Sequence, residues 1–174
     1  IGVCAAYGIA KTASQIKAVN YSDFEKEFLE LKEYFASSRP TAVNLFWALN
    51  RMEDALKANK EKSIDEIKEV LFKEAEDIRN EDVEISRGIG ALGFKLLKKL
   101  KRNGKEIGIM THCNAGTLAT AKYGTATAPM YMALENGFSG DDMHVYCDET
   151  RPLLQGARLT AFELSNAGIK TTLQ

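Results

Sequence analysis

From Ser22 the apolar residues Phe24, Phe28, Leu31 and Phe35 recur at three- and four-residue steps, with Glu25, Glu27, Glu30, Lys32 and Glu33 between them. That period puts one buried stripe on a solvated helix, and Ser22 is placed to cap its start. A second helix is expected to begin after Ser37-Ser38-Arg39-Pro40, because proline is tolerated in a first turn, and to carry Val43, Phe46, Trp47, Leu49, Met52, Ala55 and Leu56. Ser63 is expected to cap a third, with Ile64, Ile67, Leu71, Ala75 and Ile78. A fourth carries Ile85, Ile89, Leu92, Leu96, Leu97 and Leu100 and closes in a solvated basic end, Lys98 to Arg102, near Gly104. Ahead of these four, Gly2 to Ala10 is a small, apolar run of the kind that forms a packed helix.

After Gly104 the period shortens. Glu106 to Thr111 reads as an apolar strand, His112 to Gly116 as a loop, and Thr117 to about Asn136 as a helix. His144 to Asp148 is a second strand, Pro152 to Ala167 a helix ending at Gly168, and Ile169 onward a third strand. Strands separated by helices pair in parallel, so the order βαβαβ predicts the first part of a doubly wound, Rossmann-like sheet. The expected fold is therefore α/β: a mainly helical domain over 1–103, then a Rossmann-like domain over 104–174. The start without Met or a helix cap and the end in a bare strand suggest an internal segment of a longer protein.

Composition narrows the class without naming a chemistry. With 45% hydrophobic and 27% charged residues, 13 Gly and 3 Pro, the chain is an ordinary globular protein rather than a disordered or fibrous one. Its formal net charge of −1 provides no field to draw it onto nucleic acid or an anionic membrane. No apolar run is long enough to predict a membrane span. Cys4, Cys113 and Cys147, odd in number and far apart, fit reduced thiols in a cytoplasm better than a disulfide framework or a zinc site.

In doubly wound sheets ligands bind beyond the carboxyl ends of the strands, which nominates the loop at His112–Gly116, the loop at Glu149–Pro152 and whatever follows Gln174. The first lacks Gly-x-Gly-x-x-Gly and the phosphate-loop Gly-Lys-Ser/Thr, so no dinucleotide is expected there. It does set Cys113 beside the amides of Gly116 and Thr117 at an expected helix start, where partial positive charge favours a thiolate or an anionic group. Cys4 and Cys147, within a helix and a strand, read as packed small hydrophobes. Arg39, before a proline at a helix start, has a fork suited to phosphate, although a solvated cap-region arginine fits equally well. Gln155 lies near the carboxyl-end crevice and suits a sugar hydroxyl; a bland first-turn glutamine fits as well. Asp148, Glu149 and Arg151 are placed for an ion-paired loop, with a catalytic carboxylate among them left open. His112 and Cys113 point to opposite faces if the strand continues, which argues against a thiolate–imidazolium pair. His144, near Asp142, reads as structural, as do Asn44, Trp47 and Asn50.

Three long segments, Ser38-Arg39-Pro40-Thr41-Ala42-Val43-Asn44-Leu45, Thr111 to Thr120 (THCNAGTLAT) and Asp148 to Thr160 (DETRPLLQGARLT), resemble the methylthioribose-1-phosphate isomerases in content and order. The resemblance extends over essentially the whole chain. It implies a cofactor-free, homodimeric enzyme of methionine salvage, an intramolecular oxidoreductase converting the aldose 5-methylthioribose 1-phosphate to the ketose 5-methylthioribulose 1-phosphate. It implies Cys113 as the catalytic cysteine, a transition-state stabiliser or a proton carrier, and Arg39 and Gln155 as substrate-binding residues, Arg39 at the phosphate. An Arg-Gly-Ala-Pro loop ahead of Ile1 and a catalytic aspartate past Gln174 complete the family pattern. Two other readings share the resemblance: a ribose-1,5-bisphosphate isomerase, and a non-catalytic regulatory subunit of the exchange factor for translation initiation factor two.

Overall fold

The computed structural model describes residues 1–102 and 104–174. It divides into two compact units, Ile1–Glu81 and Asp82–Gln174. The first contains α1 (Gly2–Ala13), α2 (Tyr21–Ser37), α3 (Val43–Ala58) and the opening of α4 (Ile64–Leu100). The second contains the rest of α4, then β1 (Ile107–Thr111), α5 (Ala128–Glu135), β2 (Met143–Cys147), α6 (Ala161–Asn166) and β3 (Lys170–Leu173).

In the helical unit the apolar stripes meet as the spacing dictates. Ala6, Ile9 and Ala13 of α1, Phe24 and Phe28 of α2, Leu49, Met52 and Leu56 of α3, and Ile67, Leu71 and Ile78 of α4 form one buried cluster. Two starts differ from the pattern. Asn20, not Ser22, caps α2, its side-chain oxygen accepting the Asp23 amide at 2.9 Å. Pro40 lies outside α3, which begins only at Val43. Ser63 caps α4 as expected: its hydroxyl accepts the Glu66 amide at 3.3 Å, while its own amide donates to the Glu66 carboxylate at 2.9 Å.

The third and fourth helices of the pattern are one continuous helix of 37 residues. Arg79 to Glu84 contain neither proline nor glycine, so the polar interval between the two stripes changes the face without ending the hydrogen-bond ladder. The two compact units consequently divide inside α4, between Glu81 and Asp82. The boundary expected at 103/104 has Asn103, which lies outside the described residues, on one side.

The second unit is built on a parallel sheet of order β1-β2-β3. Ile107, Met143, Val145 and Cys147 face a core shared with Met130 and Ala133 of α5, Leu164 of α6, and Leu97 of α4. Close approach of α5 to α4 depends on Gly93, where a Cβ would stand 2.3 Å from the Pro129 ring. Burial alternates along β1 and β2, and on the other face Met110 is 67% exposed. There His144 bonds Glu106 at 3.1 Å and Thr172 at 2.8 Å and stacks on Tyr146, while Lys170 donates to Glu106 at 2.7 Å. Among the described residues no helix is long and apolar enough to cross a membrane.

Both crossover helices are shorter than the pattern suggests. Residues 117–119 form one 3₁₀ turn and α5 starts only at Ala128, because between them Gly124 and the threonines favour turns, closed by the Thr120 hydroxyl on the Gly124 amide and the Thr127 hydroxyl on the Tyr123 carbonyl. After β2 the chain passes a cis Arg151–Pro152 peptide and a π-helical turn, Gly156–Thr160, before α6.

Phe24 is fully buried, so Phe24→Ala is expected to cost about 3–5 kcal/mol in urea unfolding. Tyr34→Ala on the same helix, at a position 75% exposed, is expected to shift stability by less than about 0.5 kcal/mol.

Candidate active site

Parallel pairing sets Thr111 opposite Cys147 and Cys147 opposite Leu173, so His112, Asp148 and Gln174 leave the three strands at one level. The ladder continues into these exits: the Asp148 amide donates to the Thr111 carbonyl at 3.1 Å, and the Gln174 amide to the Cys147 carbonyl at 2.9 Å. Side chains tie the same level. His112 Nδ1 donates to Asp148 Oδ2 at 2.8 Å, and Gln174 Nε2 reaches Asp148 Oδ1 at 3.5 Å. The His112 hydrogen bond, then the Gln174 amide, hold the Asp148 carboxyl below the usual carboxylate range. His112 is thus engaged with Asp148; because β1 ends at Thr111, strand alternation does not extend to Cys113.

Cys113, the next residue, has φ +61° and is half-buried. A side chain in the left-handed region costs on the order of 1–3 kcal/mol unless its surroundings enforce it. They do so from both ends: the Cys113 amide donates to Thr150 Oγ1 at 2.9 Å, and Thr160 Oγ1 donates to the Cys113 carbonyl at 2.6 Å. Thr150 (φ +63°) and Leu154 (φ +59°) are left-handed too, so all three such non-glycine residues of the described chain lie on the loops past β1 and β2.

Glu163, on α6, fixes the remainder of the Cys113 loop and is missing from the sequence-based candidates. It is 8% exposed, and its carboxylate accepts Asn114 Nδ2 at 3.0 Å, the Thr117 amide at 2.6 Å, the Thr117 hydroxyl at 2.7 Å and the Leu118 amide at 3.3 Å. A Cβ on Gly116 would lie 2.3 Å from Glu163 Oε2, so only glycine lets the carboxylate in. This corrects the expected electrostatics of the loop. The Thr117 amide at the helix start is not open to a thiolate or an anionic ligand; it is already answered by a protein carboxylate, and the helix there is a single 3₁₀ turn. The nearby Tyr131 hydroxyl is pushed up by burial and then by the Glu163 charge, against an opposing hydrogen bond with Thr117. No sequence signal marks Glu163: it is buried while its neighbour Phe162 is 62% exposed, the reverse of what either side chain prefers.

Gln155 sits between Thr150 and Thr160, on the segment that grips Cys113. Its residue is half-buried, yet its Oε1 is buried and has no hydrogen-bond partner among the described residues. An acceptor left in that state costs about 1–3 kcal/mol unless a donor answers it. Arg39 belongs to the helical unit, exposed in the loop between α2 and α3, where its carbonyl accepts the Ala42 amide at 3.0 Å. Arg151 and Glu149 are 3.8 Å apart, a loose exposed pair, and Asp148 is not part of it.

The other two thiols differ from each other. Cys147 is buried in the sheet core, where burial, then the Asp148 charge, push its thiol up. Cys4 is exposed on α1 rather than packed, because the small residues Ala5 and Ala6 next to it occupy the core face. Among the described residues no group of three or more His, Cys, Asp and Glu side chains is arranged to hold a metal ion.

Two outcomes follow. Glu163→Ala strands three N–H donors and a hydroxyl and is expected to destabilise the second unit by about 1–3 kcal/mol, read as a lower melting temperature. A depressed carboxyl favours the fold above its unfolded pKa and loses that contribution as pH falls through the folded one. His112→Ala is therefore expected to raise the Asp148 midpoint toward the ordinary aspartate range in a carboxyl ¹³C titration, and to move the acid limb of stability upward in pH.

Known proteins are similar to this chain. Over 99% of this chain, at 52% identity, it is similar to a methylthioribose-1-phosphate isomerase of Symbiobacterium thermophilum, covering 46% of that protein, and at 51% identity to a 5-deoxyribose 1-phosphate isomerase of Petrotoga mobilis, covering 47%. The chain spans about half the length of the curated relatives it matches. Among solved structures, the 5-methylthioribose 1-phosphate isomerase of Pyrococcus horikoshii superposes with a TM-score of 0.85 at 39% identity, over 99% of this chain and 46% of that one. A translation initiation factor eIF-2B delta subunit from A. fulgidus superposes with a TM-score of 0.81, also at 39% identity, over 99% and 48%. The family model for the initiation factor 2 subunit family matches residues 1–174, and the chain belongs to that family.

Proposed function

We propose that the protein carrying this chain is an aldose–ketose isomerase acting on a 5-substituted ribose 1-phosphate, with 5-methylthioribose 1-phosphate as the substrate and methionine salvage as its setting. The observation that carries this reading is Cys113, half-buried and held in a left-handed turn at the carboxyl end of β1, on the same loop cluster as the unpaired Gln155 oxygen. Relatives bearing both isomerase names support it. A regulatory subunit would have no use for a cysteine held in a left-handed turn on the same loop cluster as an unanswered buried acceptor.

The chemistry explains the residue types. The anomeric oxygen of the substrate is esterified with phosphate, so the ring cannot open to an aldehyde unaided. Acid assistance at the ring oxygen, which the family resemblance assigns to an aspartate after the third strand, breaks the ring. A hydrogen then moves from C2 to C1 and the C2 hydroxyl gives up its proton, balancing the one taken by the ring oxygen, so that the carbonyl ends at C2. In this reading Cys113 stabilises the charge that develops along that path, Gln155 Oε1 accepts a hydrogen bond from a sugar hydroxyl, and Arg39 holds the phosphate. The protein acts as a homodimer in the cytoplasm and takes no cofactor.

Cys113→Ser is expected to lower kcat on 5-methylthioribose 1-phosphate by on the order of 10²-fold or more, with the melting temperature little changed. Parental turnover in that variant would remove the catalytic role. Assays with 5-methylthioribose 1-phosphate, 5-deoxyribose 1-phosphate and ribose 1,5-bisphosphate side by side are expected to rank the first highest in kcat/KM; a preference for the bisphosphate would reassign the substrate.

A further inference from the structure

We propose that Thr150 and Thr160 are positioning residues for the reaction at Cys113, their hydroxyls holding its peptide groups from opposite sides and so fixing the left-handed turn from which the sulfur meets substrate. The inference rests on the reading of Cys113 as the reacting thiol, but its geometry stands apart from that reading.

Each hydroxyl is committed at both of its capacities. Thr150 Oγ1 accepts the Cys113 amide at 2.9 Å and donates its proton to the Asp148 carbonyl at 3.1 Å. Thr160 Oγ1 donates to the Cys113 carbonyl at 2.6 Å and accepts Asn114 Nδ2 at 3.3 Å. The polarity is therefore fixed: one hydroxyl answers the N–H of Cys113 and the other its C=O. Neither the neighbouring strand nor a regular helix supplies these partners, because a residue at φ +61° has left the sheet ladder. Thr160 is 1% exposed, so water does not compete for its bond. The two threonines lie on either side of Gln155 in sequence. One segment, 150–160, thus both grips the thiol residue and presents the unpaired acceptor, which couples the placement of one to the other.

The side-chain requirement is narrow. Serine keeps the hydroxyl and its polarity, whereas valine keeps the shape and deletes the bond. In the full-length protein, Thr160→Val and Thr150→Val are expected to lower kcat on 5-methylthioribose 1-phosphate by on the order of tenfold with KM within about twofold, since a misplaced group loses transition-state contacts more than ground-state binding. Thr160→Ser and Thr150→Ser are expected to restore near-parental kcat. Independently of turnover, iodoacetamide labelling of Cys113, followed by mass spectrometry of its own peptide, is expected to quicken by roughly threefold or more in the valine variants as the turn loosens, with Cys4 labelling unchanged. Should the buried Thr160→Val fail to fold, the half-buried Thr150→Val carries the same test. Parental kcat together with a parental labelling rate in the valine variants would overturn the proposal, as would a kcat loss that serine does not restore. Faster labelling with parental kcat would overturn it too, leaving the two hydroxyls a purely structural role, whereas failure of the Cys113 reading itself shows separately as parental turnover in Cys113→Ser.

Discussion

A carboxylate removed from water must find its charge answered by protein donors, and in the second unit that demand organises the loop after β1. Glu163 draws in Asn114, both donors of Thr117 and the Leu118 amide. Burying the charge without them would be far more costly than any single bond it makes. The loop therefore has little freedom once α6 is docked on the sheet. The short 3₁₀ turn, the glycine at 116 and the amide orientation of Asn114 all follow from where one acid sits. What the loop then offers to a ligand is a cysteine residue at its near end, while its own helix-start amides are spent internally.

Most of the architecture was legible from periodicity, and the departures share a cause. The stripes beginning at Phe24, Val43 and Ile64 specify their helices because burial of one face dominates, and the shortened period after Gly104 marks β1. The sequence failed to distinguish a change of face from a break at Arg79–Glu84, since a polar interval looks alike in both. It also overran at Thr117 and Pro152, where apolar content suited a helix but hydroxyl-to-backbone bonds and close packing gave turns instead. Cap choice at Asn20 over Ser22 turned on local geometry that two competing polar residues leave open.

The site was legible in part. Cys113 stood out because a thiol in a strand-to-helix loop at the carboxyl end of a parallel sheet is unusual, and topology alone pointed there. The reason first attached to it, exposed helix-start amides, was not the right one. A buried acid 46 positions downstream of them had claimed them, and a contact of that range leaves no periodic trace. Thr150 and Thr160 were hidden for another reason: threonine in a loop carries no signal until its hydroxyl is seen to meet a residue with positive φ. Membership of the family fixes the fold, but the fold is shared by an isomerase and by a translation factor subunit, so function has to be argued from the loops.

The open face of the sheet carries a quieter requirement. His144 and Lys170 lace Glu106, β2 and β3 together through polar contacts, on the side opposite the apolar core. Strand alignment is thereby specified twice, once by oil and once by charge. A slide of one residue between neighbours would shift an exit by about 3.3 Å and turn its side chains to the wrong surface. The lacing at the amino ends of the strands thus acts as a ruler for their far ends, setting the common height at which 112, 148 and 174 emerge.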